Sequence, residues 1–188
     1  MTGQGKNAID ILLAESLKEI ATKHPIEKIT IKEITDKAGV IRPTFYNHFQ
    51  DKFELLEWIL KKDLLEPVHP LIQNGMISEA MVLLFSNIEK ERAFYTRAIK
   101  LEGPVSFRSI AQKCVQEELA GVFRDLSTGK KYIHSWLTPE LLASYYAQSM
   151  CFAVIEWIKM GMNIPPKEMA DVYDFMLSHS MDDIMREL

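Results

Sequence analysis

The 188-residue sequence predicts an all-α protein. Apolar residues recur at helical spacing along its length. No stretch alternates apolar and polar residues between hairpin signals. Proline and glycine punctuate the periodic segments, and no unit of 20–50 residues repeats.

The first helix is predicted over about Asn7 to Lys23. Ile9, Leu13, Leu17 and Ile20 share one face, and Pro25 lies just past the end. Thr30-Ile31-Lys32-Glu33 reads as a capping box opening a second helix, which buries Ile31, Ile34 and Ala38 and stops at Gly39. A tight turn leads to a third helix, Arg42 to about Phe49. Pro43 stands in its first turn, where a missing N–H costs nothing. Asp51, with Glu54 three residues on, caps a fourth helix carrying Phe53, Leu56 and Leu60. That helix is expected to end near Leu65, at Glu66-Pro67 and His69-Pro70. Further helices are expected over about Ser78–Glu89, Arg92–Leu101, Phe107–Leu126, Pro139–Met160 and Lys167–Met185, with 127–136 a loop.

Composition narrows the class. A 47% hydrophobic, 26% charged chain is globular, not disordered. No run approaches the ~18 apolar residues of a membrane-spanning helix, and the first residues lack the apolar stretch of a secretion signal. Cys114 and Cys151 are too few for a disulfide framework. A cytoplasmic protein is expected. His24, His48, His69, His134 and His179 show no zinc-ligand spacing, so no metal and no cofactor are expected. No GxSxG, P-loop or HExxH motif is present, and an enzyme is not expected.

The second and third helices, joined at Gly39, have a helix-turn-helix layout. Projected at about 100° per residue, the third places Ile41, Phe45 and Phe49 on a buried stripe. Pro43 and Asn47 lie opposite, Thr44 and Tyr46 lie at the flanks, and Arg42 and His48 are expected to reach outward past the stripe. A guanidinium, a hydroxyl, a phenol, a carboxamide and an imidazole thus crowd one short helix. That donor set suits base edges and phosphates in a major groove. Lys52 opens the fourth helix, where a cation opposes the helix dipole unless a phosphate comes to it.

These residues carry a resemblance. Ile29-Thr30-Ile31-Lys32-Glu33-Ile34, Ala38-Gly39-Val40, Pro43 to Phe49 and Lys52 to Leu56 resemble the DNA-binding domain of the TetR/AcrR family of bacterial transcriptional regulators, over about residues 7–60. The resemblance implies DNA contacts by Thr44, Tyr46, His48 and Lys52, sequence preference set by Arg42, Pro43 and Asn47, and contacts from Thr30 and Lys32. Ile41 and Arg42-Pro43 depart from the common pattern and put the base preference apart. The Arg42–Phe49 wording, Leu55–Ile59 and Phe94-Tyr95 also resemble the subgroup associated with dihydroxyacetone kinase operons.

The expected organisation is a helix-turn-helix domain over residues 1–50, a linking helix over 51–66, and a helical regulatory and dimerisation domain over 67–188. Family likeness implies a homodimer built on the helices near 139–160 and 167–185. There Leu142, Tyr146, Met150, Val154 and Trp157, with Met169, Val172, Met176 and Ile184, form stripes that serve either an interface or the chain's own core. A small-molecule effector would lie between about 78 and 160, with Phe94, Arg97, Tyr145 and Trp157 as candidate ligand-binding residues.

Net charge is −4, yet residues 1–62 carry 9 Lys and 1 Arg against 9 acidic residues, leaving the deficit to the rest. A local DNA-binding patch is compatible with that balance; a general DNA coat is not. The expected function is a ligand-responsive, homodimeric repressor acting on a palindromic operator. The alternative is a co-regulator acting through a partner protein.

Overall fold

The computed structural model describes residues 3–129 and 134–187, with side chains over 7–129 and 134–186. Among the described residues there are helices and turns but no strands. Part of the expected 127–136 loop, residues 130–133, lies outside them. No described helix is long and apolar enough to cross a membrane.

Helix α1 (Gly3–Ala21) buries Leu13 and Leu17 as the spacing predicts. A 3-10 turn, Ile26–Lys28, leads to α2 (Ile31–Ala38), where the Thr30–Glu33 capping box is formed in both directions. Gly39 closes α2 in the left-handed region at φ 68°, where an L side chain would be strained. Helix α3 is short, Arg42–Tyr46, and the chain turns through Asn47 and His48 before Asp51 caps α4 (Lys52–Leu60).

Prolines 67 and 70 do not end this helix, contrary to expectation. One π turn, Lys61–Leu65, carries α4 directly into α5 (Glu66–Gln73). The carbonyl that a residue with an N–H at 67 would have used is that of Asp63. It accepts instead from the Asn87 side-chain amide at 3.1 Å. A proline inside a helix is tolerated when another donor reaches the orphaned carbonyl.

Helices α6 (Ile77–Lys90), α7 (Arg92–Ala98), α8 (Phe107–Ser127) and α9 (Pro139–Lys159) follow the expected pattern. The expected last helix is two, α10 (Pro166–Ser178) and α11 (Met181–Glu187). Extended backbone at His179 breaks it, and Ser180 with Asp183 re-caps the chain. That Ser-x-x-Asp signal stands in the sequence. Helices α8 and α9 pack along each other, α10 lies on α6, and α1 touches α2, α4 and α7. One apolar core runs from Leu13 and Phe45 through Leu60 and Phe85 to Trp157.

The apolar stripe expected at the dimer face of α9 is chiefly chain core: Met150 and Trp157 are buried, and Tyr146 and Val154 pack against the core. The exposed apolar residues of α9 are Tyr145 and Phe152, 65% and 60% accessible. On α10 Val172, Met176 and Leu177 are exposed, whereas Met169 is buried.

Candidate nucleic-acid interface

Helix α3 is held by one anchor. Phe45 is fully buried, stacks edge-on with Tyr46, and meets Phe49, which meets Trp58 of α4 edge-on at 6.2 Å. With that ring fixed inward, Arg42, Pro43, Tyr46 and Asn47 are exposed and Thr44 is half-buried. The side chains of Arg42 and Asn47 and the Tyr46 hydroxyl make no hydrogen bond or ion pair with other described residues. They are three donors on one convex surface.

Two expectations fail in detail. Ile41 is 68% exposed and not part of the buried stripe. It is the N-cap residue, with extended backbone at φ −89° and ψ 153°, so helical projection does not apply to it. His48 does not reach outward. It sits past the end of α3, its side chain is 3% exposed, and its Nδ1 lies 2.6 Å from the Asp10 carboxylate of α1. Asp10 is the partner that motif spacing alone does not single out. Its signal was visible, a carboxylate one turn before Leu13 on the buried face of an amphipathic helix.

Lys52 opens α4, as expected. Its Nζ donates to the carbonyls of Glu27 and Ile29, both at 2.7 Å. The ammonium therefore sits at the carbonyl end of the 3-10 turn, where a cation is favoured, and fastens that turn to the start of α4. Burial lowers its pKa from the ordinary lysine value, against the opposing pull of Glu27, Asp51 and Glu33. Two of its three protons are committed, leaving one to meet a phosphate.

Thr30 and Lys32 lie on exposed backbone beside α3. The Thr30 hydroxyl is engaged with Glu33, and Lys32 pairs with Asp36 at 2.5 Å. Both Lys32 and Asp36 are well exposed, so exchanging that pair for a phosphate costs at most about 1 kcal/mol.

Helix α1 is tied to the rest of the chain through Lys18. This α1 side chain is 8% exposed, and its ammonium lies 2.6 Å from Glu15, 3.1 Å from Asp63 in the π turn and 3.3 Å from Glu91 before α7. Burial opposes its charge, but the hydrogen bond to Glu15 and the charges of Asp63 and Glu91 win, raising its pKa above the ordinary value. Nothing in the spacing pointed to this residue, because its three partners are joined only by the tertiary fold.

The four candidate effector residues are not brought together. Phe94 is buried against Tyr95, Arg97 is exposed, Tyr145 faces outward from α9, and buried Trp157 donates its indole N–H to Ile164. None of them lines the apolar cavity of about 40 Å³ between α4, the π turn and α6–α9. That cavity is bounded by Leu64, Leu65, Tyr95, Cys114, Met150 and Cys151, among others. Helical spacing located apolar residues; it did not say which of them leave a gap. Among the described residues no group of His, Cys, Asp and Glu is placed to hold a metal.

Comparison with known proteins agrees with this geometry. Residues 13–59 match the family model described as bacterial regulatory proteins, tetR family, and residues 76–179 match a transcriptional regulator C-terminal region of the same family. The HTH-type dhaKLM operon transcriptional activator DhaS of Lactococcus lactis subsp. lactis (strain IL1403) is 24% identical over 153 residues, 81% of each chain. The solved structure of a dihydroxyacetone kinase operon activator DhaS superposes with a TM-score of 0.63 at 22% identity, covering 90% of this chain and 93% of that one. NalD, the secondary repressor of the MexAB-OprM multidrug efflux pump in Pseudomonas aeruginosa, gives 0.60 at 16% identity, over 89% and 93%.

Proposed function

The chain belongs to the TetR family of bacterial transcriptional regulators, and from that premise we propose that it is a cytoplasmic, homodimeric repressor that occupies a palindromic operator and leaves it when a small molecule binds. The observation that carries this reading is the exposed set of Arg42, Tyr46 and Asn47 on a helix whose Phe45 is locked in the core. Such a helix docks in one orientation and offers its donors to base edges.

In this reading residues 1–50 form the reading head, 51–66 belong to the linking helix, and 67–188 regulate and dimerise. Arg42, Pro43 and Asn47 set base preference. Thr30, Lys32, Thr44 and Tyr46 meet the backbone or flanking bases, and Lys52 offers its remaining proton to a phosphate. His48 acts through Asp10, holding the end of α3 against α1. Two subunits pair through the exposed apolar faces of α9 and α10, and two-fold symmetry matches a palindrome. The two reading heads must then stand about 34–36 Å apart to enter successive major grooves. An effector acts by favouring a different separation.

The experiment is fluorescence anisotropy at moderate salt with the duplex upstream of the gene, against a random duplex of equal length. Specific binding is expected, with Tyr46→Ala and Arg42→Ala each weakening it about tenfold or more and leaving the melting temperature unchanged. Equal affinity for both duplexes refutes the proposal.

One observation favours a second reading, an activator or co-regulator working through a partner protein: the DhaS relative is named an activator. A reporter fused to the bound promoter separates the two by the sign of its change when the gene is deleted.

A further inference from the structure

The fold leaves the side chain of residue 41 free. Ile41 is the N-cap of α3, yet it makes no side-chain capping bond. The first turn has little use for one: Pro43 has no amide to cap, and the Thr44 amide already donates to the Ile41 carbonyl at 2.9 Å. The side chain does not pack against the core either. At 68% exposure it exceeds every other large apolar side chain among the described residues of the reading head, including Tyr46 at 52% and Leu12 at 49%. A lone exposed isoleucine on a protein surface is ordinary. This one adjoins Arg42 and Pro43, both exposed, where the chain enters the helix that carries the donors.

We propose that Ile41 is a specificity-determining residue that reads a thymine, packing its side chain on the C5 methyl in the major groove beside the base pair that Arg42 addresses. This rests on the reading of the chain as a DNA-binding regulator and deepens it by naming one base of each half-site and the contact that selects it. The first residues of a recognition helix are the ones brought to base edges. Arg42 can take the paired acceptors of a guanine there, and the thymine methyl is the apolar group that base pairs present in that groove. Against the other bases the same isoleucine would cover a hydrogen-bonding edge without satisfying it, which is costly. Attraction to one base and a penalty on the rest give selection without a single hydrogen bond.

The side chain is suited to such a contact. It is β-branched and stiff at its first torsion, so little freedom is lost when it is pressed against a base. It also has nothing to give up but water. Thr30 and Lys32 must first leave Glu33 and Asp36 to meet DNA; Ile41 has no partner to leave.

The test begins with full-length protein selecting duplexes from a random pool. Each thymine of the selected sequence is then replaced in turn by deoxyuridine, which lacks only the C5 methyl, and affinity is read by fluorescence anisotropy. One thymine per half-site is expected to stand out: its replacement weakens the wild type about fourfold, the worth of one buried methyl group, and about fifteenfold when both half-sites are changed. Ile41→Ser is expected to bind thymine and uracil duplexes alike at that position, and Ile41→Val, which keeps the branch, to retain the preference. The melting temperature of Ile41→Ser is expected at or above that of the wild type, because the side chain supports nothing in the fold. A fall of several degrees would show a structural residue and overturn the proposal. So would a selected sequence in which no thymine methyl is felt, or a methyl effect that survives Ile41→Ser. Those results sink the Ile41 assignment alone and leave the regulator reading standing. A pool from which no sequence is enriched sinks the regulator reading, and the assignment with it.

Discussion

Replacing Lys18 with methionine tests the junction between reading head and body most directly. Methionine keeps most of the aliphatic stem and deletes the ammonium, leaving three carboxylates without their cation. Removing one partner of a fully buried pair costs about 3–5 kcal/mol, whereas exposed pairs are worth about 0–1 kcal/mol. Here the cation is buried, but the side chains of Glu15, Asp63 and Glu91 are 62%, 30% and 43% exposed and can take up water. The expected cost is therefore about 2 kcal/mol, most of it from Asp63, the least exposed partner. For a chain of this length that is a fall of about 4–8 °C in melting temperature. The sign of the pH dependence is fixed too. A lysine whose folded pKa exceeds its unfolded value of about 10.4 stabilises fully below that value, and the contribution is lost as pH rises through the folded one. The gap between wild type and Lys18→Met should be the same at pH 7 and pH 9 and close only in strong alkali. Urea denaturation followed by circular dichroism measures it. A variant as stable as wild type at pH 7 would show that the ammonium holds nothing together.

Other expectations follow from the same geometry. Lys52→Ala should lower stability by about 1 kcal/mol or more, because it deletes two charge-assisted bonds to carbonyls; weakened DNA binding with an unchanged urea midpoint would show that the lysine serves phosphate alone. Burial pushes the Cys114 and Cys151 thiols up to about 12, so both should resist alkylation at pH 8 in the native protein and react at once in denaturant; fast native labelling would contradict that. Tyr145→Glu with Phe152→Glu should convert the proposed dimer into monomer by light scattering without loss of helix content, since both side chains face outward; a dimer that persists would place the interface elsewhere.

Much of this architecture is legible in the residues because local rules govern it. The Thr30–Glu33 box, the left-handed Gly39 and the Asp51 cap each need only neighbours within four positions, and all three form. Family spacing likewise located α3, and Phe45 alone fixes which donors face out. Projection failed at Ile41 and His48 because both lie beyond the helix whose periodicity was applied to them. The prolines misled for a different reason. Pro67 is accommodated by the π turn before it and by Asn87, twenty residues downstream, which donates to the Asp63 carbonyl, and no local pattern encodes that. The small apolar cavity was illegible in the same way. It is a shortfall of packing shared by several helices, and Phe94 and Tyr95 differ in it by one position.

The π turn has a consequence for phase. Leu60, Leu64, Val68 and Ile72 are four residues apart, and in an uninterrupted α-helix each step would drift about 40°, so that the last would face some 120° away from the first. All four are nevertheless buried. The turn absorbs one extra residue, about 100° of rotation, and so returns the lower half of the helix to the direction of the upper. Head and body thus share one rod whose two halves are held in register by five residues, and any change in that turn would rotate one half relative to the other.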